Sequence, residues 1–171
     1  MKNVNRLWKK PSTNHYVLRT VEVEDIISLL RLEREVYQGV LQWSKHTFER
    51  ELCQNTPHCY FLIEANQEVI AFIGCRLKNR VAHVTNLVVS PRYQKRGIAT
   101  LLMNKIEWWA RWHFAYKMSL EVRMTNLEAK RFYRKRGYRA VKIIERYYFD
   151  NQEDGVYMEK ELYDHRFKKR R

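Results

Sequence analysis

The chain is predicted to fold as a mixed α/β domain around one central sheet. Three observations predict it. Helix-period and strand-period apolar patterns alternate along the sequence. The apolar stretch Thr85-Asn86-Leu87-Val88-Val89 leads through a short basic turn directly into a helix pattern. The 171 residues, 45% of them hydrophobic, suffice for one real core and argue against disorder.

Residues 15–20 read as a short strand. Ile26, Leu29, Leu30, Leu32 and Val36 fall at helical spacing, which predicts an amphipathic helix over 25–37. Ser44 is the expected N-cap of a second helix running through Leu52, with Phe48 and Leu52 on one face. Residues 59–65 and 69–77 flank Asn66-Gln67 and read as a hairpin. Residues 81–89 form the next strand. Ile98, Leu102, Ile106 and Trp109 then make the buried stripe of a long helix ending near His113. After a strand over 117–123, Asn126 caps a helix to about Arg136, and Gly137 ends it. Strands over 138–147 and 156–162 close the sheet. A single domain is expected, its core over 15–162, with loose extensions at 1–14 and 163–171.

The basic turn is Gln94-Lys95-Arg96-Gly97-Ile98-Ala99, followed by Thr100. The first N–H groups of a helix have no partners within it and carry the positive end of its dipole. A glycine-containing turn ahead of them makes a nest for an anion such as a pyrophosphate. Taken by itself, the run is equally readable as an ordinary basic turn.

Its form, Q-x-x-G-x-[G/A], resembles the acyl-CoA loop of the GCN5-related N-acetyltransferases, and the resemblance continues downstream. Leu120-Glu121-Val122-Arg123, then Asn126, Ala129, Phe132-Tyr133 and Gly137-Tyr138, match the second half of that family's pattern. Tyr147-Tyr148, Asp154 and Met158 resemble the ending shared by protein N-terminal acetyltransferases. Trp43-Ser44 with Thr47-Phe48 resembles the bacterial RimI-type ribosomal-protein alanine N-acetyltransferases. The similarity runs from about Tyr16 to Leu162.

The resemblance implies a mostly antiparallel sheet with helices on both faces and one parallel, splayed pair of strands at an acyl-CoA cleft. It implies that the backbone of Leu87, Val88 and Val89 pairs with the pantetheine amides. Gln94, Lys95, Arg96, Gly97, Ile98, Ala99 and Thr100 would hold the pyrophosphate, with Asn126, Ala129 and Tyr133 along the other wall. Ala99 stands where many relatives have glycine. Acetyl-CoA is the implied co-substrate, and no metal is expected.

Acyl transfer from a thioester to an amine needs a proton acceptor, an oxyanion donor and a proton for the leaving sulfur. Glu121 occupies the position of the general base, Tyr133 matches the tyrosine that protonates the sulfur, and the amide of Val88 or Leu87 would hold the oxyanion. For Glu121 the competing reading is a structural salt bridge to Arg123 or Arg146; for Tyr133 it is packing beside Phe132. Tyr37, Trp43, Tyr147 and Tyr148 fall where relatives grip a peptide, although aromatic packing explains such residues too. Asn86 and His83 could reach the cleft by alternation, His83 as a weaker alternative base. An α-amine (pKa about 7.7–8.0) is far more often neutral at pH 7 than a lysine (about 10.4), so a single carboxylate suits an N-terminal acceptor.

The implied reaction is therefore direct acetylation of a protein N-terminus, with alanine of a small-subunit ribosomal protein as the acceptor the resemblance suggests. A lysine or small-amine acetyltransferase is the alternative within the fold. A ribosome- or RNA-associating module with an inactive acyl-CoA site is the alternative outside it. The 33 Lys and Arg against 19 Asp and Glu give a net charge of +14, concentrated in 130–142 and 166–171. Weak electrostatic association with ribosome or RNA is the expectation, since no RNA-binding motif accompanies the charge. Cys53, Cys59 and Cys75 show no paired or metal-type spacing and read as reduced thiols of a cytoplasmic protein. No apolar run approaches the roughly 20 residues of a membrane span.

Overall fold

A computed structural model describes residues 7–8 and 16–163. The elements are β1 (Leu7–Trp8), β2 (Tyr16–Thr20), α1 (Ile26–Val36), α2 (Lys45–Leu52), β3 (His58–Ala65), β4 (Glu68–Lys78), β5 (Val81–Val89), α3 (Ile98–Trp112), β6 (Lys117–Arg123), α4 (Leu127–Lys135), β7 (Arg139–Tyr148) and β8 (Glu153–Glu161). The strand order in the sheet is β1-β2-β3-β4-β5-β6-β8-β7. The β1/β2, β2/β3, β6/β8 and β7/β8 pairs are antiparallel, and β5/β6 is parallel. The mixed α/β expectation is met. Strand β1 lies inside the stretch expected to be a loose extension; the rest of 1–14, and 164–171, fall outside the described residues. The chain forms two compact units: Met1–Cys75 with Asn86–Ile106, and Arg76–Thr85 with Glu107–Arg171.

In the first unit, Ile26, Leu29, Leu30 and Leu32 of α1 pack with Phe48 of α2 and with Leu62, Phe72 and Val88 of the strands. Ser44 caps α2, its Oγ accepting the Thr47 N–H at 3.1 Å. Asn66 and Gln67 both take positive φ, 51° and 66°, so the β3–β4 turn has the left-handed pair that matches strand twist. Arg19 ties β2 to the start of α1 and to β3 through Asp25 at 2.6 Å and Glu64 at 2.6 Å.

Glu33 is the unusual member of this core. It is buried on α1, and its carboxylate accepts the N–H groups of Trp43 (3.2 Å) and Gln42, fastening the α1–α2 connection. Burial pushes its pKa up to about 7 from 4.5, and those two donors offset only part of the rise. The folded state therefore holds this proton more tightly than the unfolded chain does. The associated destabilisation grows as pH rises from 4.5 to about 7 and is complete above that. Thermal unfolding at pH 5 and pH 8 should show the wild type losing up to about 3 kcal/mol across that window relative to Glu33→Gln, which has no such titration.

In the second unit, Met118, Leu120 and Val122 alternate along β6 and are buried, Leu120 opposite Met158, Val122 opposite Val156, and Met118 Sδ 3.5 Å from the Tyr138 hydroxyl. Asn126 caps α4 by accepting the Ala129 N–H at 3.0 Å, and Gly137 at φ 90° ends it, as expected. Glu107 of α3 accepts from Arg136 and from Lys160 of β8, each at 2.8 Å. Among the described residues no helix is long and apolar enough to cross a membrane.

Candidate active site

Successive residues of a strand point to opposite faces, so the buried apolar face of β6 leaves Ser119, Glu121 and Arg123 on the other. The parallel ladder sets His83 of β5 opposite Ser119. From there the imidazole reaches two residues of β6. Its Nδ1 lies 2.9 Å from Ser119 Oγ, and its Nε2 lies 3.0 Å from Glu121 Oε2. The ring thus bridges the two β6 side chains, Nε2–H donating to the carboxylate and Nδ1 facing the serine hydroxyl.

A third group completes the cluster: the Tyr147 hydroxyl donates to Glu121. Burial by itself would raise the Glu121 pKa. The His83 bond and charge, the Tyr147 bond and the nearby Arg76 guanidinium together outweigh burial and hold the carboxyl below its ordinary value. Tyr147 moves the opposite way. Burial, then the charge and hydrogen bond of Glu121, push its phenol up to about 12, so it stays a protonated donor. The result is a mostly enclosed, ionised carboxylate with one face occupied by two donors.

Tyr147 reaches Glu121 because β7 is irregular there. Its pairing with β8 shifts between Ile144 and Tyr148, and Arg146 takes a φ of 49°. Asp154 holds the distortion by accepting the Arg146 N–H at 2.8 Å. Gly155 leaves room for the tyrosine: a Cβ there would sit 3.0 Å from Tyr147 Cβ and 3.1 Å from its ring carbons. Gly155→Ala should therefore displace Tyr147 and lower acetyl-transfer kcat/KM about tenfold, with a stability loss of about 1–3 kcal/mol. Steady-state kinetics beside a thermal melt measure both.

Arg123 does not pair with Glu121, contrary to the salt-bridge reading. It binds Asp150 (2.8 Å) and Glu153 (3.2 Å), and its guanidinium lies 4.0 Å from the Tyr148 ring centroid. Tyr148 thus serves the β7–β8 turn, its ring set edge-on to Tyr147 at 5.0 Å. Arg146 contributes its backbone to the bulge. Tyr133 is buried on α4, edge-on to Phe132 (5.3 Å) and Tyr138 (5.8 Å). Asn126 and Ala129 form the cap at the start of the same helix.

In the first unit, Leu87, Val88 and Val89 end β5, and the turn follows. Gln94 reaches back so that its Nε2 donates to Val89 O at 3.1 Å. Arg96 lies 5.3 Å from the Tyr93 ring centroid. Lys95 (φ 58°) and Gly97 (φ 83°) are both left-handed, separated by Arg96, so the chain curls ahead of Ile98, Ala99 and Thr100. The α3 ladder begins with Leu101 N–H to Gly97 O at 3.0 Å, leaving the preceding amides outside it. A Cβ at Gly97 would meet nothing within 4 Å, so its torsion, not crowding, demands glycine, and the space before it is open. This curled turn fits an anionic phosphate group.

Tyr37 and Trp43 pack against the α1–α2 core, with Trp43 5.1 Å from Phe48 and 6.4 Å from Tyr60. Asn86 is half-buried on β5. Of the residues picked from sequence, Glu121 and Tyr147 meet directly. His83, the weaker alternative base, joins them, and Asp154, part of the resembling ending, holds the bulge; Ser119, Arg76 and Gly155 are not singled out by the sequence. The spacing of Ser119 and Glu121 on one strand face was the available signal for the first of these.

A model of the acetyltransferase (GNAT) family matches residues 24–138, more than half of the chain. The chain belongs to this family. It is accordingly an acyltransferase. A Bacillus subtilis (strain 168) protein provisionally named a [ribosomal protein bS18]-alanine N-acetyltransferase is 28% identical over 141 residues, 82% of this chain and 92% of that protein. The crystal structure of the Escherichia coli ribosomal-protein-S18-alanine N-acetyltransferase superposes with a TM-score of 0.77 at 23% identity, covering 87% of this chain and 95% of the other. The PaiA N-acetyltransferase of Thermoplasma acidophilum, solved in complex with coenzyme A, superposes with a TM-score of 0.70 at 21% identity, covering 85% and 98%. At these identities the structural likenesses carry the fold.

Proposed function

We propose that this GNAT enzyme transfers the acetyl group of acetyl-CoA directly to the α-amine of a protein N-terminus, with alanine of a small-subunit ribosomal protein as the favoured acceptor. The observation that carries the reading is the ionised Glu121, gripped by His83 at 3.0 Å and by the Tyr147 hydroxyl. A carboxylate held below its ordinary pKa is a modest base. It can relieve an α-ammonium of its proton far more readily than a lysine ammonium about 2.5 pKa units higher. The names of the Bacillus and Escherichia proteins support the ribosomal acceptor.

Acetyl-CoA supplies an activated thioester. The amides of Leu87, Val88 and Val89 bind its pantetheine arm, and the turn from Gln94 to Thr100, with Asn126 and Ala129, holds the rest. Glu121 takes the proton as the amine nitrogen bonds to the acyl carbon and the carbon–sulfur bond breaks. The amide of Val88 or Leu87 steadies the oxyanion, and Tyr133 returns a proton to the sulfur. Tyr37, Trp43, Asn86, Tyr147 and Tyr148 line the path of the first acceptor residues. Burial and the neighbouring Cys75 thiol push the Cys59 pKa far up, which makes it a poor nucleophile and favours direct transfer.

Acetyl transfer to two peptides tests this. One bears a free N-terminal alanine before a basic segment; the other has the same sequence with a blocked N-terminus and internal lysines. Acetylation of the first alone is expected. Acetylation of the second alone would replace the reading with a lysine acetyltransferase.

A further inference from the structure

The last turns of α3 carry an aromatic face that the fold leaves uncovered. Trp109 and Ala110 point inward and are buried, whereas Trp108 and Trp112 are 56% and 69% exposed. Their indoles stack on each other, centroids 5.8 Å apart and planes 20° from parallel. Phe114 follows at 72% exposure with a φ of 56°. A left-handed residue after a helix is ordinarily glycine, and a bulky aromatic there is strained. Arg80 Nε donates to the Phe114 carbonyl at 3.1 Å, and the exposed Tyr116 donates its N–H to Arg80 O. The Lys117 ammonium lies 5.6 Å from the Tyr116 ring centroid.

The charge nearby has one sign in excess. The unit that holds this face, Arg76–Thr85 with Glu107–Arg171, contains 20 Lys and Arg against 10 Asp and Glu. Lys78 and Arg80 are exposed at the β4–β5 turn.

We propose that this face binds single-stranded RNA, with bases stacking on Trp112, Trp108 and Phe114 and phosphates drawn to Lys78 and Arg80. Flat, exposed rings beside cations match the requirements of a base-stacking platform. A second copy of the chain would bring two strongly basic units together, which opposes self-association. A bilayer-inserting face ordinarily adds aliphatic side chains, and from Glu107 to Lys117 the uncovered apolar residues are all aromatic. The proposal is independent of which amine the enzyme acetylates.

The test is fluorescence anisotropy of the full chain with labelled oligo(A) and oligo(U) of about twelve nucleotides, from about 50 to 200 mM salt. Saturable binding that quenches tryptophan emission and weakens with salt is expected. Trp112→Ala and Phe114→Gly should each weaken it about tenfold, while acetyl transfer to peptide stays unchanged. Phe114→Gly should at the same time raise the melting temperature, because it relieves the left-handed phenylalanine, so lost binding cannot be ascribed to unfolding. Wild-type RNA affinity in both variants would overturn the proposal. So would binding to phosphatidylserine vesicles but not to RNA, or a dimer that Trp112→Ala dissolves.

Discussion

Glu121→Gln is expected to lower kcat/KM for a free-amine peptide about a hundred- to ten-thousand-fold while leaving the fold intact. The amide keeps an acceptor for His83 and Tyr147 but cannot take a proton. Because Glu121 is held below its ordinary pKa, the base is already ionised at any pH where the protein is handled. The acid limb of the wild-type profile should then follow the acceptor amine, rising with unit slope toward its pKa of about 7.7–8.0. A limb near the ordinary carboxylate range would mean that the cluster does not hold Glu121 ionised. His83→Ala should cost less than Glu121→Gln, since the carboxylate loses the largest influence that holds it ionised but keeps its capacity to take a proton.

Glu107→Ala should produce the largest loss of stability, about 2–4 kcal/mol, or roughly 5–15 °C in melting temperature. Its carboxylate accepts from both Arg136 at the end of α4 and Lys160 on β8, and these side chains are only 12% and 18% exposed. Removing the acceptor leaves two cations in a partly enclosed place, which costs far more than an exposed ion pair is worth. Both cations also lie over aromatic rings, Arg136 at 5.8 Å from Phe132 and Lys160 at 5.7 Å from Tyr138. Glu107→Gln retains the acceptor oxygen and should recover part of the loss. Chemical denaturation of the two variants measures the difference.

The elements that the sequence announced most clearly are those with a complete local signal. Strands β5 and β6 fall on the residues expected, because alternation over seven to nine positions fixes both period and ends. Ser44 and Asn126 cap as their types require, and Asn66-Gln67 turns as a two-residue hairpin loop does. Strand β1 was not legible, since two residues carry no period and its pairing with Tyr16 and Val17 is supplied by tertiary structure. The start of β8 was misread for a related reason. Glu153, Asp154 and Gly155 look like a turn, yet Gly155 pairs with both Arg123 and Ile144, and Glu153 pairs with Tyr148.

At the candidate site, Glu121 and Tyr147 were each picked out through the family resemblance, but their hydrogen bond depends on a bulge that no periodicity encodes. The Arg123 alternative failed for the same reason: Asp150 and Glu153, brought near by the β7–β8 turn, take that guanidinium first. His83 was undervalued because only the parallel register with Ser119 shows that it faces Glu121.

The central claim, that Glu121 serves an α-amine, is tested most directly by one peptide that offers both acceptors in competition. It carries a free N-terminal alanine and internal lysines, and tandem mass spectrometry locates the acetyl group after limited turnover with acetyl-CoA. The account predicts the acetyl group on the terminal nitrogen, with that product abolished in Glu121→Gln. Acetyl groups on lysine Nζ, or an N-terminal product formed at the wild-type rate by Glu121→Gln, would contradict it.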